Sequence, residues 1–214
     1  MKIETFEQGG VPWMLSRLAR PTASCYDKIL TPKQLKPAKS ELYRAELLAE
    51  YLLGQPVEWG SSAWTERGTD MEAEARTWYE FDRDIEVQEV GFIARDDDKT
   101  GGSPDGLVGS NGGLEIKCLG AVKHMLHLMD NPPEYVGQVQ GYLYLTGREW
   151  WDVLFYNPNL PKRIERIYPN LKWGEAFVPV LDEFIERLDR EKARWEYARN
   201  LHPMHPDVQA MLQG

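Results

Sequence analysis

The stretch Ser103–Cys118, "SPDGLVGSNGGLEIKC", decides the fold. Its centre, Asn111–Gly112–Gly113, is a turn signal between two strand-like runs, "SPDGLVGS" and "LEIKCL", so the stretch reads as a β-hairpin. In the second strand, side chains two residues apart share a face. Glu115 and Lys117 therefore point one way, while Leu114, Ile116 and Cys118 point into the core. Alone, Glu115 and Lys117 read as the water-facing side of a half-buried strand. Asp105 shifts that reading, because the turn folds its strand back beside Glu115 and two carboxylates then converge with an amine. Oxygen ligands of this kind suit a hard cation such as Mg²⁺, which takes one or two protein carboxylates and fills its shell with water and substrate phosphate. A lysine beside metal-bound water helps to deprotonate or orient it, or offsets charge in the transition state. The chemistry implied is phosphodiester hydrolysis.

Upstream of the hairpin, residues 40–53 read as a helix with a Ser40 cap, a face of Ala45, Leu48 and Leu52, and a stop at Gly54. A second helix runs through Met71, Ala75, Trp78 and Tyr79. "IEVQEVGFIAR" then reads as a strand ending at the polar turn "DDDKTGG", and with the hairpin it makes an antiparallel meander. Downstream come helical signals from Val122 to Met129, a break at Pro132–Pro133, and a helix from about Glu134 to Leu145. "WWDVLFY" and "KRIERIY" read as two more strands. A long amphipathic helix follows, with Phe177, Leu181, Ile185 and Leu188 at four- and three-residue steps. The order predicts an α/β or α+β layer protein with a mixed sheet.

With 214 residues, 42% of them hydrophobic and 11% aromatic, the chain is expected to form a single domain over 1–214. No run approaches the ~20 apolar residues of a membrane span, and "MKIETFEQGG" lacks the apolar core of a secretory signal, so a cytoplasmic protein without membrane association is expected. Cys25 and Cys118 are too few for a disulfide scaffold or a four-thiolate iron–sulfur cluster and read as small buried side chains. The net charge of -9 disfavours nonspecific coating of nucleic acid. It leaves room for a DNA enzyme that confines Lys and Arg to one groove and neutralises groove carboxylates with metal.

The pattern Pro104–Asp105, nine residues, then Glu115–Ile116–Lys117 matches the PD-(D/E)XK nuclease signature. Together with "GQVQGYLYLTG" at 137–147, the hairpin resembles the lambda exonuclease and YqaJ-type viral recombinase family, over about Trp13 to Leu188. The resemblance implies a restriction-endonuclease-like core, a central mixed sheet flanked by helices. It implies Mg²⁺, with Mn²⁺ as a substitute, held by Asp105, Glu115 and the backbone carbonyl of Ile116. In the family a helical glutamate precedes the hairpin, and "GTDMEAEART" puts Glu72 there, with Glu74 as the neighbouring alternative. The residues alone allow a Glu72–Arg76 surface pair instead.

The segment "SRLARPTASCYDKIL" resembles the family's 5′-phosphate-binding stretch, with Arg17 and Ser24 at the matching positions and Arg20 next in line. An Arg fork with a hydroxyl suits a dianionic phosphate, whereas the bare residues read as a basic helix with a Ser cap. Lys123 stands where lambda exonuclease has arginine, so charge is kept and the fork is lost. Gln138 completes the set, on the helix face it shares with Tyr142, and Gln140 is rotated away. For the strand-separating wedge only Trp64 is a candidate, and the other tryptophans read as core. His124 and His127, and His202 and His205, lack a third zinc ligand.

The resemblance thus implies a 5′-to-3′ exonuclease on linear double-stranded DNA with 5′-phosphate ends, releasing 5′-mononucleotides and leaving 3′ overhangs for homologous recombination. It further implies a DNA-threaded homotrimer, a single-strand annealing protein as partner, and a phage or prophage gene acting in a bacterial host. Rivals are a RecB-like or Cas4-like nuclease, a restriction endonuclease, and a nonenzymatic DNA clamp. The cysteine count disfavours a Cas4-like cluster, no specificity domain is evident, and the intact acidic and lysine positions disfavour the clamp.

Overall fold

A computed structural model describes residues 1–57, 63–130 and 135–201, with residues 63–70 and 201 described by backbone alone. The hairpin is present as β5 (Gly106–Val108) and β6 (Gly112–Cys118), paired antiparallel with Gly106 opposite Leu114. Close packing explains the glycines of β6: a side chain on Gly113 would stand 2.4 Å from the Trp151 ring. Ahead of the hairpin lie β1 (Lys2–Glu4), α1 (Val11–Arg17), a 3₁₀ segment (Ala23–Lys28), α2 (Glu41–Leu53), α3 (Ala63–Arg83), β2 (Val87–Gln88), β3 (Phe92–Ala94) and β4 (Gly101–Gly102). After it come α4 (Ala121–Asp130), α5 (Val136–Thr146), β7 (Trp150–Tyr156), β8 (Arg163–Ile167) and α6 (Leu171–Leu201).

Five strands form one sheet in the order β2-β5-β6-β7-β8, and three form another, β1-β3-β4. Among the described strands only β6 and β7 pair in parallel, which needs a long crossover, supplied by α4 and α5. One face of the large sheet packs Trp151, Val153 and Phe155 against Tyr26, Tyr142 and the α6 stripe Phe177, Leu181, Ile185 and Leu188. The opposite face packs Leu114, Ile116, Leu154 and Tyr156 against Ala75 and Tyr79 of α3. The mixed sheet flanked by helices is the expected architecture.

Three local expectations are corrected. The run 85–95 is not one strand: β2 joins the large sheet and β3 the small one, with Gly91 between them packed so closely on Phe6 that any side chain would collide. The buried face of α2 is Tyr43, Arg44 and Leu47, while Ala45 is exposed and Leu48 only partly covered. Arg44 is buried because it pairs with Glu191 of α6 at 2.9 Å. The third correction concerns the cysteines, expected as buried side chains, which are free and only partly buried. The polar face of β6 does not meet water, in keeping with its convergence on Asp105: Glu115 is 3% exposed. Pro132–Pro133, Glu134, His202, His205 and the Trp64 side chain lie outside the described residues.

Candidate active site

The parallel pairing of β6 with β7 places Glu115 beneath α5, where it meets two partners. Its Oε1 accepts from Lys117 Nζ at 2.5 Å and from Gln138 Nε2 at 2.7 Å. Lys117 Nζ also donates to Gln138 Oε1 at 3.2 Å and lies 4.4 Å from the Tyr135 ring centre. The second Glu115 oxygen, Oε2, is buried and has no hydrogen-bond partner among the described residues. Burial, then the nearby Asp105 charge, pushes the Glu115 carboxyl up to about 7. Burial works against the Lys117 charge, yet Glu115 and Asp105 outweigh it and raise its pKa.

Asp105 precedes β5 and turns back onto β6, where the Ile116 N–H donates to its Oδ2. Its carboxyl lies near that of Glu72, and its pKa is driven well up by burial and then by the Glu72 charge. The negative charges of two neighbouring carboxylates repel each other, and a cation beside them relieves that repulsion. Glu72 reaches Asp105, while Glu74 accepts from the Tyr156 hydroxyl at 2.7 Å. Arg76, the alternative partner for Glu72, instead pairs with Glu89 at 2.9 Å. Ile116 keeps its side chain in the core at 6% exposure. Among the described residues no group of three His, Cys, Asp or Glu side chains is placed to hold a metal ion. A smaller carboxylate set with a backbone carbonyl fits Mg²⁺, which keeps most of its shell for water and phosphate.

The basic candidates flank this centre. Arg17, the last residue of α1, donates to Ser103 Oγ at 3.1 Å and to Ser24 Oγ at 3.4 Å, with its guanidinium 4.7 Å from the Trp13 ring centre. Arg17 and Ser24 are thus adjacent and open to solvent on the Ser24 side. Arg20 instead lies 5.7 Å from the Phe92 ring centre, with Asp98 as its nearby charge. Lys123 is on α4 and donates to the Tyr135 hydroxyl at 3.2 Å, so Tyr135 stands between it and Lys117. Gln138 is shared between Glu115, Lys117 and the Tyr142 hydroxyl, which it reaches at 2.8 Å. Gln140 is turned away, donating to the Tyr168 carbonyl and accepting from Asn170 N. The histidines of α4 are buried packing residues: His124 meets the Pro161 carbonyl, and His127 stacks between Tyr135 and Phe155.

The profile of the YqaJ-like viral recombinase domain matches residues 12–149, a span that contains every one of these candidates. The chain belongs to the YqaJ-like viral recombinase family. Among solved structures it is similar to an alkaline exonuclease (LHK-Exo) from Laribacter hongkongensis, at 30% identity and a TM-score of 0.79, covering 89% of this chain and 98% of that one. The complex of LHK-Exo with dAMP gives 31% identity and a TM-score of 0.78, covering 89% and 97% of the two chains. A phage-related exonuclease from Haemophilus somnus 129PT shares the fold at 16% identity and a TM-score of 0.62, covering 80% and 96%. No curated protein sequence gives a significant match. The fold of this YqaJ-like member is of the PD-(D/E)XK type.

Sequence reasoning missed three residues around the site. Ser103 and Trp13 meet through an indole N–H to Ser103 Oγ at 2.8 Å, and Tyr135 carries the two lysines. Ser103 adjoins the Pro-Asp pair, but nothing in its type or spacing announces a link to Arg17, eighty-six positions away.

Proposed function

We propose that this YqaJ-like chain is a Mg²⁺-dependent 5′-to-3′ exonuclease on linear double-stranded DNA, releasing 5′-mononucleotides and leaving 3′ overhangs for recombination. Its coarser class, a nuclease of the exonuclease type, follows from family membership and from the likeness to LHK-Exo. Glu115 Oε2 is the observation that carries the reading. A buried carboxylate oxygen without a donor is costly, and a cation relieves that cost.

Asp105, Glu115 and the Ile116 carbonyl would hold the ion, with Glu72 as an additional ligand of the metal or of its water, and with Mn²⁺ as a substitute for Mg²⁺. Bound there, the metal supplies Lewis acidity and a water of lowered pKa. Lys117 orients the attacking water and offsets charge growing on the phosphoryl oxygens. The water oxygen bonds to phosphorus, the bond from phosphorus to the 3′-oxygen of the terminal nucleotide breaks, and that oxygen leaves as a hydroxyl after taking a proton. The released nucleotide keeps its 5′-phosphate and the shortened strand gains a new one. Arg17 and Ser24 then receive that new end, with Lys123 and Gln138 nearer the cut. A deoxynucleoside monophosphate of the expected product class is bound in the LHK-Exo complex. Family likeness extends the proposal to a homotrimer threaded by DNA and to a phage single-strand annealing partner in a bacterial host.

Nucleotide release from linear duplexes bearing 5′-phosphate or 5′-hydroxyl ends, with Mg²⁺ or with EDTA, tests this. Metal-dependent release that favours the phosphorylated end, and loss of that preference in Arg17→Ala, is the expected result. Equal processing of both ends by the unmodified protein would refute the Arg17 and Ser24 assignment. Cutting of closed circles would point to an endonuclease, and binding without digestion to a clamp.

A further inference from the structure

Arg17 and Glu115 belong to separate parts of the site, the end pocket and the cleavage centre, yet one partly buried run of hydrogen bonds joins them. Arg17 Nη1 donates to Ser103 Oγ at 3.1 Å. The carbonyl of the same serine accepts from the Tyr142 hydroxyl at 3.1 Å. That hydroxyl accepts from Gln138 Nε2 at 2.8 Å, and Gln138 Nε2 also donates to Glu115 Oε1 at 2.7 Å. Ser103 stands two residues before Asp105, with Pro104 between them, so the same serine adjoins one candidate carboxylate in the chain and reaches the other through Tyr142 and Gln138. Gln8 further pins this segment by donating to the Pro104 carbonyl at 2.9 Å.

Tyr142 is built into this place. It is 1% exposed, its ring lies 5.0 Å from that of Trp151, and a methyl group at Gly102 would come within 2.7 Å of its Cε1. Glycine at 102 therefore lets the ring press flat against β4 and deliver its hydroxyl to the Ser103 carbonyl. A tyrosine needed only for packing would leave phenylalanine as the simpler residue, since a buried hydroxyl must be satisfied. Here the hydroxyl is satisfied on both sides, by the end pocket's serine and by the cleavage centre's glutamine.

We infer that Tyr142 and Ser103 are positioning residues that couple occupation of the Arg17 pocket to alignment of Asp105 and Glu115. The inference rests on the exonuclease reading and assigns part of its end preference to turnover rather than to binding. A phosphate held by Arg17 fixes the guanidinium that holds Ser103, and through Ser103 and Tyr142 the two carboxylates keep their places. An end without phosphate leaves Arg17 held only by Ser103, Ser24 and the Trp13 ring, and the centre less well ordered.

The test compares Tyr142→Phe, Ser103→Ala, Arg17→Ala and the double variant Arg17→Ala/Tyr142→Phe with the unmodified enzyme, all checked by thermal melting. Two quantities are read: the ratio of kcat on 5′-phosphate to kcat on 5′-hydroxyl duplexes, and the affinity for both ends in Ca²⁺ without turnover. For Tyr142→Phe the kcat ratio should fall about tenfold, the equivalent of one lost hydrogen bond, while the binding preference for phosphorylated ends remains. Ser103→Ala should reduce the same ratio, which keeps the proposal testable if Tyr142→Phe fails to fold. The double variant should show no greater loss of ratio than Arg17→Ala, the non-additivity that marks coupling. An unchanged ratio in Tyr142→Phe and Ser103→Ala, whether both rates fall together or neither does, overturns the coupling and leaves the exonuclease reading intact. An unmodified protein that shows no end preference at all overturns both.

Discussion

Asp105 shows how function and stability oppose each other at a single residue. Its carboxyl is held against Glu72, with burial and that charge both raising its pKa. A carboxyl raised on folding binds its proton more tightly in the folded chain, so it adds no penalty below its ordinary value and an increasing one as pH climbs through the folded value. In EDTA, Asp105→Asn should therefore melt higher than the unmodified chain at pH 8, by roughly 2–4 °C, the effect of about 1 kcal/mol on a domain of this size. The gain should vanish toward pH 3, and Mg²⁺ should raise the melting temperature of the unmodified chain but not of the variant. A metal-free variant that melts lower at pH 8 would show that the pair stabilises the fold. Lys117 is different, since it is no cation ligand: Lys117→Ala should lower single-turnover cleavage by at least about 10²-fold while metal-dependent DNA binding, read by anisotropy, persists. The convergence of Asp105, Glu115 and Lys117 was legible because strand alternation and one turn suffice to bring them together. Ser103 and Tyr142 were not legible as a link, because it depends on a backbone carbonyl and on a ring packed against Gly102.

At the scale of elements, the β5–β6 hairpin is held by more than its ladder. Arg148, between α5 and β7, donates from Nη1 to the carbonyls of Gly109 at 2.9 Å and Gly112 at 2.7 Å. These carbonyls lie at the turn, so the guanidinium replaces partners that a short hairpin cannot supply. Arg148→Ala should destabilise the protein by about 1–3 kcal/mol, seen as a lower denaturant midpoint at unchanged slope, and unchanged stability would mean water replaces the contact. The hairpin and the helices with clear apolar periods, α6 above all, were readable in the sequence. The run 85–95 was not, because β2 and β3 both look extended locally and only their partners, β5 on one side and β1 with β4 on the other, divide them between sheets. The α2 face was misread for a related reason: Arg44 looks like a solvent residue until Glu191, distant in sequence, neutralises it. Strand β6 likewise looks amphipathic, yet α5 covers its polar face.

For the whole molecule, a net charge of -9 sets a problem that a groove alone solves only partly. A lone acidic chain meets DNA through a few cations, and such contacts weaken steeply with salt because each bound phosphate releases counterions. If the proposed homotrimer encloses the duplex, retention becomes topological and the acidic exterior no longer matters to it. The two designs differ in one measurable respect. First binding to an end should depend strongly on salt in both, and Arg17→Ala should reduce the slope of log K against log salt by about one. Once loaded, a ring should leave linear DNA at a rate nearly independent of salt, whereas an open groove should leave faster as salt rises. Dissociation into excess competitor DNA, followed on duplexes held in Ca²⁺ to prevent cleavage, separates them, and sedimentation should give three times the chain mass of 24.7 kDa. A monomer whose dissociation tracks salt would remove the ring from the proposal while leaving the cleavage centre of Asp105, Glu115 and Lys117 untouched.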